Sequence, residues 1–362
     1  SHNPARYNGF KIKGDFGGPA HPEMIEKVEK ELKKVIKSKV ISKKSFEELV
    51  EKGVIKMMDF TAIYVDDLRA KLNLPLIESS GIKIVHDAMY GAGQGVMSQL
   101  VSLRAEIRST YNPSFGGGHP EPIPQNMKDL ASTIVMKGCD IGIATDGDAD
   151  RVGALDESGL FVDSHRIFAI LLKYLVTERH LTGEVAKSIS VSQMINKMCA
   201  RYGLKLHETP VGFKHLCRLM TERDILIAAE ESGGLGLRGH LPERDGIYVG
   251  LLLAEVMATR KLKLSQLVEE LMIEFGWHYY NRIDAHMTEK QKQKTLAGYK
   301  KGIKSLAGMT VRKVETGDGY KLFFDDAWVL VRSSGTEPLI RFYAEADSVL
   351  RVDALLKAAM EV

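Results

Sequence analysis

Cysteine is scarce in this chain, with three in 362 residues. Cys139, Cys199 and Cys217 are odd in number and lack paired or metal-like spacing, which excludes a disulfide scaffold. Two of them lie in apolar-patterned segments, as buried reduced thiols of a cytoplasmic protein would. Long hydrophobic runs are also missing. The longest, Gly246 to Thr259, is interrupted by Glu255 and is too short to span a bilayer. No secretory leader is visible, so no membrane role is expected. Net charge is only +3, and no basic stripe interleaved with aromatics occurs, which leaves nucleic-acid binding without support. Hydrophobic residues at 44% and charged residues at 27% are those of a soluble globular protein. The length points to roughly two to four domains. Because the chain opens on Ser1 rather than Met, an upstream segment is expected to have been removed or to lie outside it.

Strand and helix patterns alternate along most of the chain, which predicts an α/β protein with mixed, largely parallel sheets. Residues 1–78 show little strand signal. They hold a loop, a Lys/Glu-rich helix in Pro22 to Lys44 and a second helical stretch from Thr61 to Asn73. In the first helix Ile25, Val28, Leu32, Val35 and Ile36 keep helical spacing. A second unit, 79–181, opens on a strand at Gly81 to Asp87, then Tyr90-Gly91-Ala92-Gly93-Gln94-Gly95 and a predicted helix from Val96. That glycine turn resembles a truncated dinucleotide fingerprint, but it lacks the third glycine and a closing acid. A tight turn for close helix–strand approach explains it equally well. A third unit, 182–276, carries strands at Val185 to Val191 and Asp224 to Ala229. The last, 277–362, reads as α+β: a helix at Thr288 to Leu306, strands at Thr310 to Val314, Tyr320 to Phe324, Trp328 to Arg332 and Leu339 to Glu345, and a closing helix.

The chemistry concentrates in Thr145-Asp146-Gly147-Asp148-Ala149-Asp150-Arg151. At ~5 Å and an effective dielectric of about 20, each like-charged pair costs roughly 3 kcal/mol, which a folded loop offsets with a cation. Carboxylate-only ligation suits a hard ion, Mg²⁺ or Ca²⁺. An acidic surface turn is the plain alternative. Against it stand flanking buried-strand patterns at Cys139 to Ala144 and Val152 to Leu155. An EF-hand would place Glu157 at its twelfth position, but it needs Gly where Arg151 stands and helices on both sides.

Three further loops stand out: Ser1-His2-Asn3-Pro4 through Lys11, Glu230-Glu231-Ser232-Gly233-Gly234, and Arg332-Ser333-Ser334-Gly335-Thr336-Glu337-Pro338-Leu339-Ile340-Arg341. Neighbouring acids and a hydroxyl suit vicinal sugar hydroxyls, although a helix cap or turn explains the second loop as well. Two Arg, three hydroxyls and the backbone around Gly335 suit a phosphate better than a plain turn does.

Taken in order, these four loops resemble the α-D-phosphohexomutase superfamily, and the resemblance covers the whole chain. It implies three related α/β domains, the first incomplete, and a C-terminal α+β domain around a central cleft. The residues preceding the serine in the family's first domain have no counterpart here. By this likeness Ser1 carries the phosphoryl group, and Ser1, Asp146, Asp148 and Asp150 hold one Mg²⁺. Glu230 and Ser232 would contact the sugar, with Lys214 of the Gly-Phe-Lys-His loop facing the ligand. Arg332, Ser333, Ser334, Gly335, Thr336 and Arg341 would grip the non-reacting phosphate.

The implied reaction interconverts a sugar 1-phosphate and 6-phosphate through a bisphosphorylated sugar. A phosphoserine adds about −1.5 to −2 charge beside three aspartates, so nearby cations are required, and Arg151 and Lys11 are the candidates. Lys11 is the expected general acid/base, given a lowered pKa. Several bacterial relatives carry His where Gly234 stands, so His240 is the expected substitute. The Glu-Glu-Ser-Gly wording is closer to the phosphoglucomutase branch than to phosphoglucosamine mutases, which favours glucose phosphates; a phosphomannomutase or a bifunctional mutase is the alternative. A monomer or homodimer acting on a small phosphosugar is implied. Two other classes compete: an N-terminal-nucleophile hydrolase using Ser1, which leaves the aspartate loop idle, and a sugar-phosphate-binding protein without turnover.

Overall fold

The computed structural model describes residues 5–7, 9–38, 44–334 and 338–362. Helices α1 (Pro22–Ser38), α2 (Phe46–Glu51), α3 (Phe60–Lys71) and α4 (Leu74–Ser80) precede strands β1 (Ile84–Asp87) and β2 (Leu103–Ile107). Next come α5 (Lys128–Lys137), β3 (Ile141–Thr145), β4 (Val152–Leu155), β5 (Phe161–Val162), α6 (Ser164–Thr177), β6 (Glu184–Ser188), α7 (Met194–Tyr202) and β7 (Leu206–Thr209). They lead to α8 (Phe213–Glu222), β8 (Ile225–Ala229), β9 (Leu235–Leu237), α9 (Gly246–Arg260) and α10 (Leu264–Phe275). The C-terminal part holds β10 (Tyr279–His286), α11 (Glu289–Lys300), β11 (Ser305–Leu306), β12 (Met309–Thr310), β13 (Lys313–Glu315), β14 (Tyr320–Phe323), β15 (Trp328–Ser333), β16 (Leu339–Ala346) and α12 (Val349–Met360). Among the described residues, no helix is long and apolar enough to cross a membrane.

Two compact units emerge. One combines Ser1–Asp163, Cys217–Arg223 and Gly233–Leu264; the other combines Ser164–Leu216, Asp224–Ser232 and Ser265–Val362. The first unit is built on a mixed sheet of order β2-β1-β3-β4-β5. Its β1 and β3 are buried along their whole length, so apolar residues succeed one another at Ile84-Val85 and from Ile141 to Ala144 rather than alternating, and β1 ends on the buried polar pair His86-Asp87. Leu130 and Ile134 of α5 pack against one face with Val85, Ala144 and Leu155. The other face receives α9, and a Cβ on Gly250 would lie 2.5 Å from Ile143, so glycine permits the close approach. Glu255 interrupts the apolar run of α9 because its Oε2 accepts the Asn73 backbone N–H at 2.7 Å.

Before β1 the described residues hold helices, one isolated bridge between Lys13 and Pro19, and no strand. Helix α1 keeps its amphipathic spacing, yet Val28, Leu32, Val35 and Ile36 are 41–67% exposed. The second predicted helix stops at Lys71, and α4 restarts behind an Asn73 cap with Pro75 in its first turn. Proline has no N–H for a continuing helix. The helix expected from Val96 is only a 3₁₀ turn, Met97–Gln99. Gly91, Gly93 and Gly95 disfavour a helix, and the chain must enter β2 at Leu103. The expected strand at Thr310 to Val314 divides into β12 and β13, and the helix expected over Thr288 to Leu306 ends at Lys300.

In the second unit β6 pairs in parallel with both β7 and β8. A separate antiparallel sheet has order β10-β16-β15-β14-β13. Alternation along β15 splits its two faces. Val329 and Val331 join the core beneath α12, while Trp328 and Leu330 cluster with Tyr343 on the opposite face, against Ile189.

Candidate functional site

The aspartate loop leaves β3 and returns as β4. Asp146 is fully buried, and its Oδ1 accepts the backbone N–H groups of Asp150 at 2.9 Å and Arg151 at 3.1 Å. This closure, with Ala149 at φ +59°, gathers Asp146, Asp148 and Asp150 so that one carboxylate oxygen from each lies within 4.8 Å of the others. Asp150 Oδ2 accepts from Arg244 Nη2 at 2.6 Å and from Lys11 Nζ at 3.4 Å. Asp150 Oδ1 is buried and makes no hydrogen bond among the described residues. Burial alone would raise the Asp150 carboxyl, but Arg244, Lys11 and Arg151 hold it below its ordinary value. An oxygen-only set with a spare buried carboxylate oxygen fits a hard divalent cation.

The glycine turn after β1 is the floor of this loop. Ala92 N–H donates to Gly147 O at 3.0 Å, and a Cβ on Gly91 would come within 2.7 Å of Asp146 O. Close backbone approach, rather than cofactor binding, accounts for these glycines. Behind them His86 bridges Glu106 at 2.9 Å and Thr145 Oγ1 at 3.2 Å.

The segment Pro242-Glu243-Arg244-Asp245-Gly246 fastens the surroundings, and sequence reasoning missed it. Glu243 pairs with Lys13, and Arg244 with Asp150. Asp245 caps α9 through the Tyr248 N–H at 2.9 Å. A Cβ on Gly246 would lie 2.3 Å from Arg151 O. Its run of charges directly before a long apolar helix was the available signal. Gly234 belongs to the same arrangement, since a Cβ there would stand 2.2 Å from Arg244 Cδ.

Lys11, Asp146, Asp148, Asp150 and Arg151 therefore come together. Lys11 pairs with Asp148 as well as Asp150, and Arg151 lies 3.9 Å from both Asp146 and Asp150 and 3.7 Å from Glu121. Lys11 thus has carboxylate neighbours here. His240 faces elsewhere. Its side chain is 5% exposed, with Nε2 2.9 Å from Asp245 and Nδ1 2.9 Å from Lys71 of α3. The Tyr64 hydroxyl donates to the same Asp245 at 2.7 Å.

In the second unit, Arg332 and Arg341 are direct cross-strand partners on β15 and β16. Two guanidiniums side by side require anions. Arg332 Nε donates to both oxygens of Asp318 at 2.9 Å, and Arg341 lies 3.4 Å from Asp284. Ser333 Oγ donates to the Ser334 carbonyl at 3.2 Å, which also accepts from Lys292 Nζ at 3.3 Å. Asp318 reaches a second loop too, accepting the Val211 N–H at 2.9 Å two residues before α8, where Lys214 is exposed. Glu230 is buried and Ser232 half-buried at the end of β8. Between them Glu231 lies 3.9 Å from Arg282, which contacts Asp284 at 2.9 Å. Burial alone would lower Arg282, but Asp284 and Glu231 hold it above its ordinary value. Asp284, Arg282 and Asp318 were not singled out from sequence, because strand register reveals the first two and only the folded turn between β13 and β14 brings Asp318 to Arg332. Ser1, Gly335 and Thr336 lie outside the described residues.

Sequence profiles of known families match four successive parts of the chain. These are phosphoglucomutase/phosphomannomutase alpha/beta/alpha domain I over residues 1–39, domain II over 62–159, domain III over 163–275 and the C-terminal domain over 283–362. A phosphoglucomutase/phosphomannomutase of Thermococcus kodakarensis is 30% identical over 96% of this chain and 74% of that relative. A phosphoglucosamine mutase of Carboxydothermus hydrogenoformans is 30% identical over 97% of this chain and 74% of its own length. A crystal structure of a Thermus thermophilus protein assigned as a phosphomannomutase superposes with a TM-score of 0.82 at 31% identity, covering 99% of this chain and 76% of that one.

Proposed function

The chain belongs to the phosphoglucomutase/phosphomannomutase family, an enzyme family of isomerases, and from that premise we propose that it moves a phosphoryl group between the 1- and 6-hydroxyls of a hexose. The observation that carries the reading is the aspartate loop: three converging carboxylates, a spare buried oxygen on Asp150, and Lys11, Arg151 and Arg244 around them. Asp146, Asp148 and Asp150 would hold Mg²⁺, with Ser1 as the phosphoryl carrier. When bound, the metal withdraws charge from the transferring phosphoryl group.

The chain's own residues supply positioning and charge. Lys11, half exposed beside Asp148 and Asp150, would exchange a proton with the sugar hydroxyl. Arg332 and Arg341 offer paired guanidiniums to the phosphate that is not reacting, Arg332 held by Asp318 and Arg341 beside Asp284, which it shares with Arg282. Glu230 and Ser232 contact the sugar, and Lys214 adds a cation near it. The phosphoryl group passes from phosphoserine to one sugar oxygen, and the other sugar phosphate returns to the serine. Atoms balance through a hexose bisphosphate. Glucose phosphates are the favoured pair on the Glu230-Glu231-Ser232-Gly233 wording; mannose and glucosamine phosphates are the alternatives, since the relatives' names divide among all three.

Phosphorus NMR of glucose 1-phosphate incubated with the protein, Mg²⁺ and a trace of glucose 1,6-bisphosphate tests this. Glucose 6-phosphate should accumulate, and Ser1→Ala or Asp148→Ala should abolish it. Unchanged turnover in Ser1→Ala would refute the phosphoserine route. Conversion of mannose or glucosamine phosphates in preference would move the substrate assignment.

A further inference from the structure

A lysine on the apolar face of the C-terminal sheet has no part in the chemistry above. Lys321 leaves β14 on the side of Phe323, Trp328, Leu330 and Tyr343, and is 1% exposed. Its Nζ sits 4.5 Å from the Trp328 ring centroid and donates to the Ile189 carbonyl at 2.6 Å. On β16, two strands away, Glu345, 2% exposed, accepts at Oε1 from the Gln193 backbone N–H at 3.0 Å and from Trp328 Nε1 at 3.1 Å. His278 Nδ1 stands 3.0 Å from the same oxygen. From the opposite side fully buried Lys187 of β6 donates to the Val191 and Ser192 carbonyls at 3.1 and 3.0 Å. Four backbone groups of one short connection, residues 189–193, are thus taken by three buried ionisable side chains from two sheets. Burying charge without function is costly, so the arrangement calls for a purpose.

The connection also reaches the acidic loop after β8. Ser190 Oγ donates to Glu231 Oε2 at 2.6 Å, and Ser188 Oγ supports it from 3.0 Å. Glu231 is flanked by Glu230 and Ser232. We propose that Lys321 and Glu345 are positioning residues for sugar recognition: they clamp residues 189–193, whose Ser190 sets the loop 229–232. The functional part of this inference rests on the reading of that loop as the sugar contact. The state of the buried pair agrees with a clamp. Burial would raise Glu345, but hydrogen bonds from His278 and Ser192 bring it down to about 2, so it accepts throughout the working range. Lys321 keeps N–H donors whether charged or neutral.

Hydrogen exchange and kinetics on the full chain test the inference, with Lys321→Met, Glu345→Gln and Ser190→Ala. Lys321→Met should speed exchange about tenfold both at 189–193 and at 229–232. Ser190→Ala should speed only the latter. With glucose 1-phosphate, both variants should raise KM several-fold with kcat little changed, and Glu345→Gln, which retains an acceptor oxygen, should recover most of the wild-type KM. Loosening of 189–193 with unchanged exchange at 229–232 overturns the proposal, as does an equal fall of kcat at constant KM. Absence of any turnover in the wild-type protein would instead strike at the mutase reading, and the exchange data would still decide whether the clamp exists.

Discussion

Arg244 donates from Nη2 to Asp150 Oδ2 at 2.6 Å across a space left open because residue 234 is glycine. The guanidinium compensates a buried carboxylate that, in the proposed metal site, also offers an oxygen to the cation. Arg244→Met should therefore destabilise the metal-free protein by about 1–3 kcal/mol, the usual result of stripping a partner from a buried charge. Saturating Mg²⁺ should restore much of that loss, so the variant gains more from the ion than the wild type does. Melting curves with and without Mg²⁺ measure both terms. An equal Mg²⁺ shift in the two proteins would show that Arg244 and the ion do not share Asp150.

Substitution of Gly91 by alanine should affect the same loop without touching a carboxylate. The added methyl would press on Asp146 O at 2.7 Å and Gly147 O at 2.8 Å. A cost of about 1–3 kcal/mol is expected for such overpacking, with weaker Mg²⁺ binding by calorimetry. Gly95→Ala is the control for space: a Cβ there meets nothing within 4 Å, although its φ of +66° still favours glycine. Metal affinity in that control should stay near wild type.

Asp318 holds Arg332 and the Val211 N–H at once. Removing it in Asp318→Ala frees Arg332 to move away from Arg341, its cross-strand neighbour of like charge. The expected outcome is a KM for the sugar phosphate raised roughly tenfold, about 1.4 kcal/mol, with a smaller change in kcat. Steady-state kinetics of the two proteins decide it, and a pure kcat effect would contradict the assignment.

Stability should rise with pH above neutrality because of Lys321. Burial pushes its amine down to about 7, helped by Lys187 and opposed by Glu208, Glu345 and Glu315. Between that value and the ordinary 10.5, the unfolded chain binds a proton that the folded chain lacks, so raising pH favours folding. Below about 7 both states are protonated and the gain is absent. At roughly 1.4 kcal/mol per pKa unit the rise is on the order of a few kcal/mol. Denaturation midpoints from pH 7 to 10 should climb in the wild type and climb less in Lys321→Met.

The aspartate loop was legible because its information is local. Spacing brought the carboxylates together, and the buried runs on either side fixed the hairpin geometry of β3 and β4. Long-range partners were not legible. Asp245, Arg244 and Glu243 read as charges preceding a helix, and Asp245 does cap α9, but Glu243 also pairs with Lys13, Arg244 with Asp150 and Asp245 with Tyr64, from segments about a hundred residues or more away. Lys321 reads as the solvent-facing residue of an alternating strand. That inference fails where both faces of a sheet are covered, as Trp328 and Tyr343 show. His240 was chosen by proximity in sequence to the sugar loop, whereas the fold turns it toward Lys71 and Asp67. Helix limits went astray where glycine or proline punctuated the pattern, at Val96 and Pro75.

Gly91 and Gly93 have a consequence for how this protein can vary. Their backbones lie against Asp146 O and Thr145 Oγ1 at separations that leave no room for any side chain. A comprehensive substitution scan read out by metal affinity would therefore light up a stretch that contains no donor atom for the ion. Such a map, taken by itself, would misplace the proposed coordination sphere by more than fifty positions along the chain. The tolerance of a ligand loop is set partly by the emptiness of the turn beneath it.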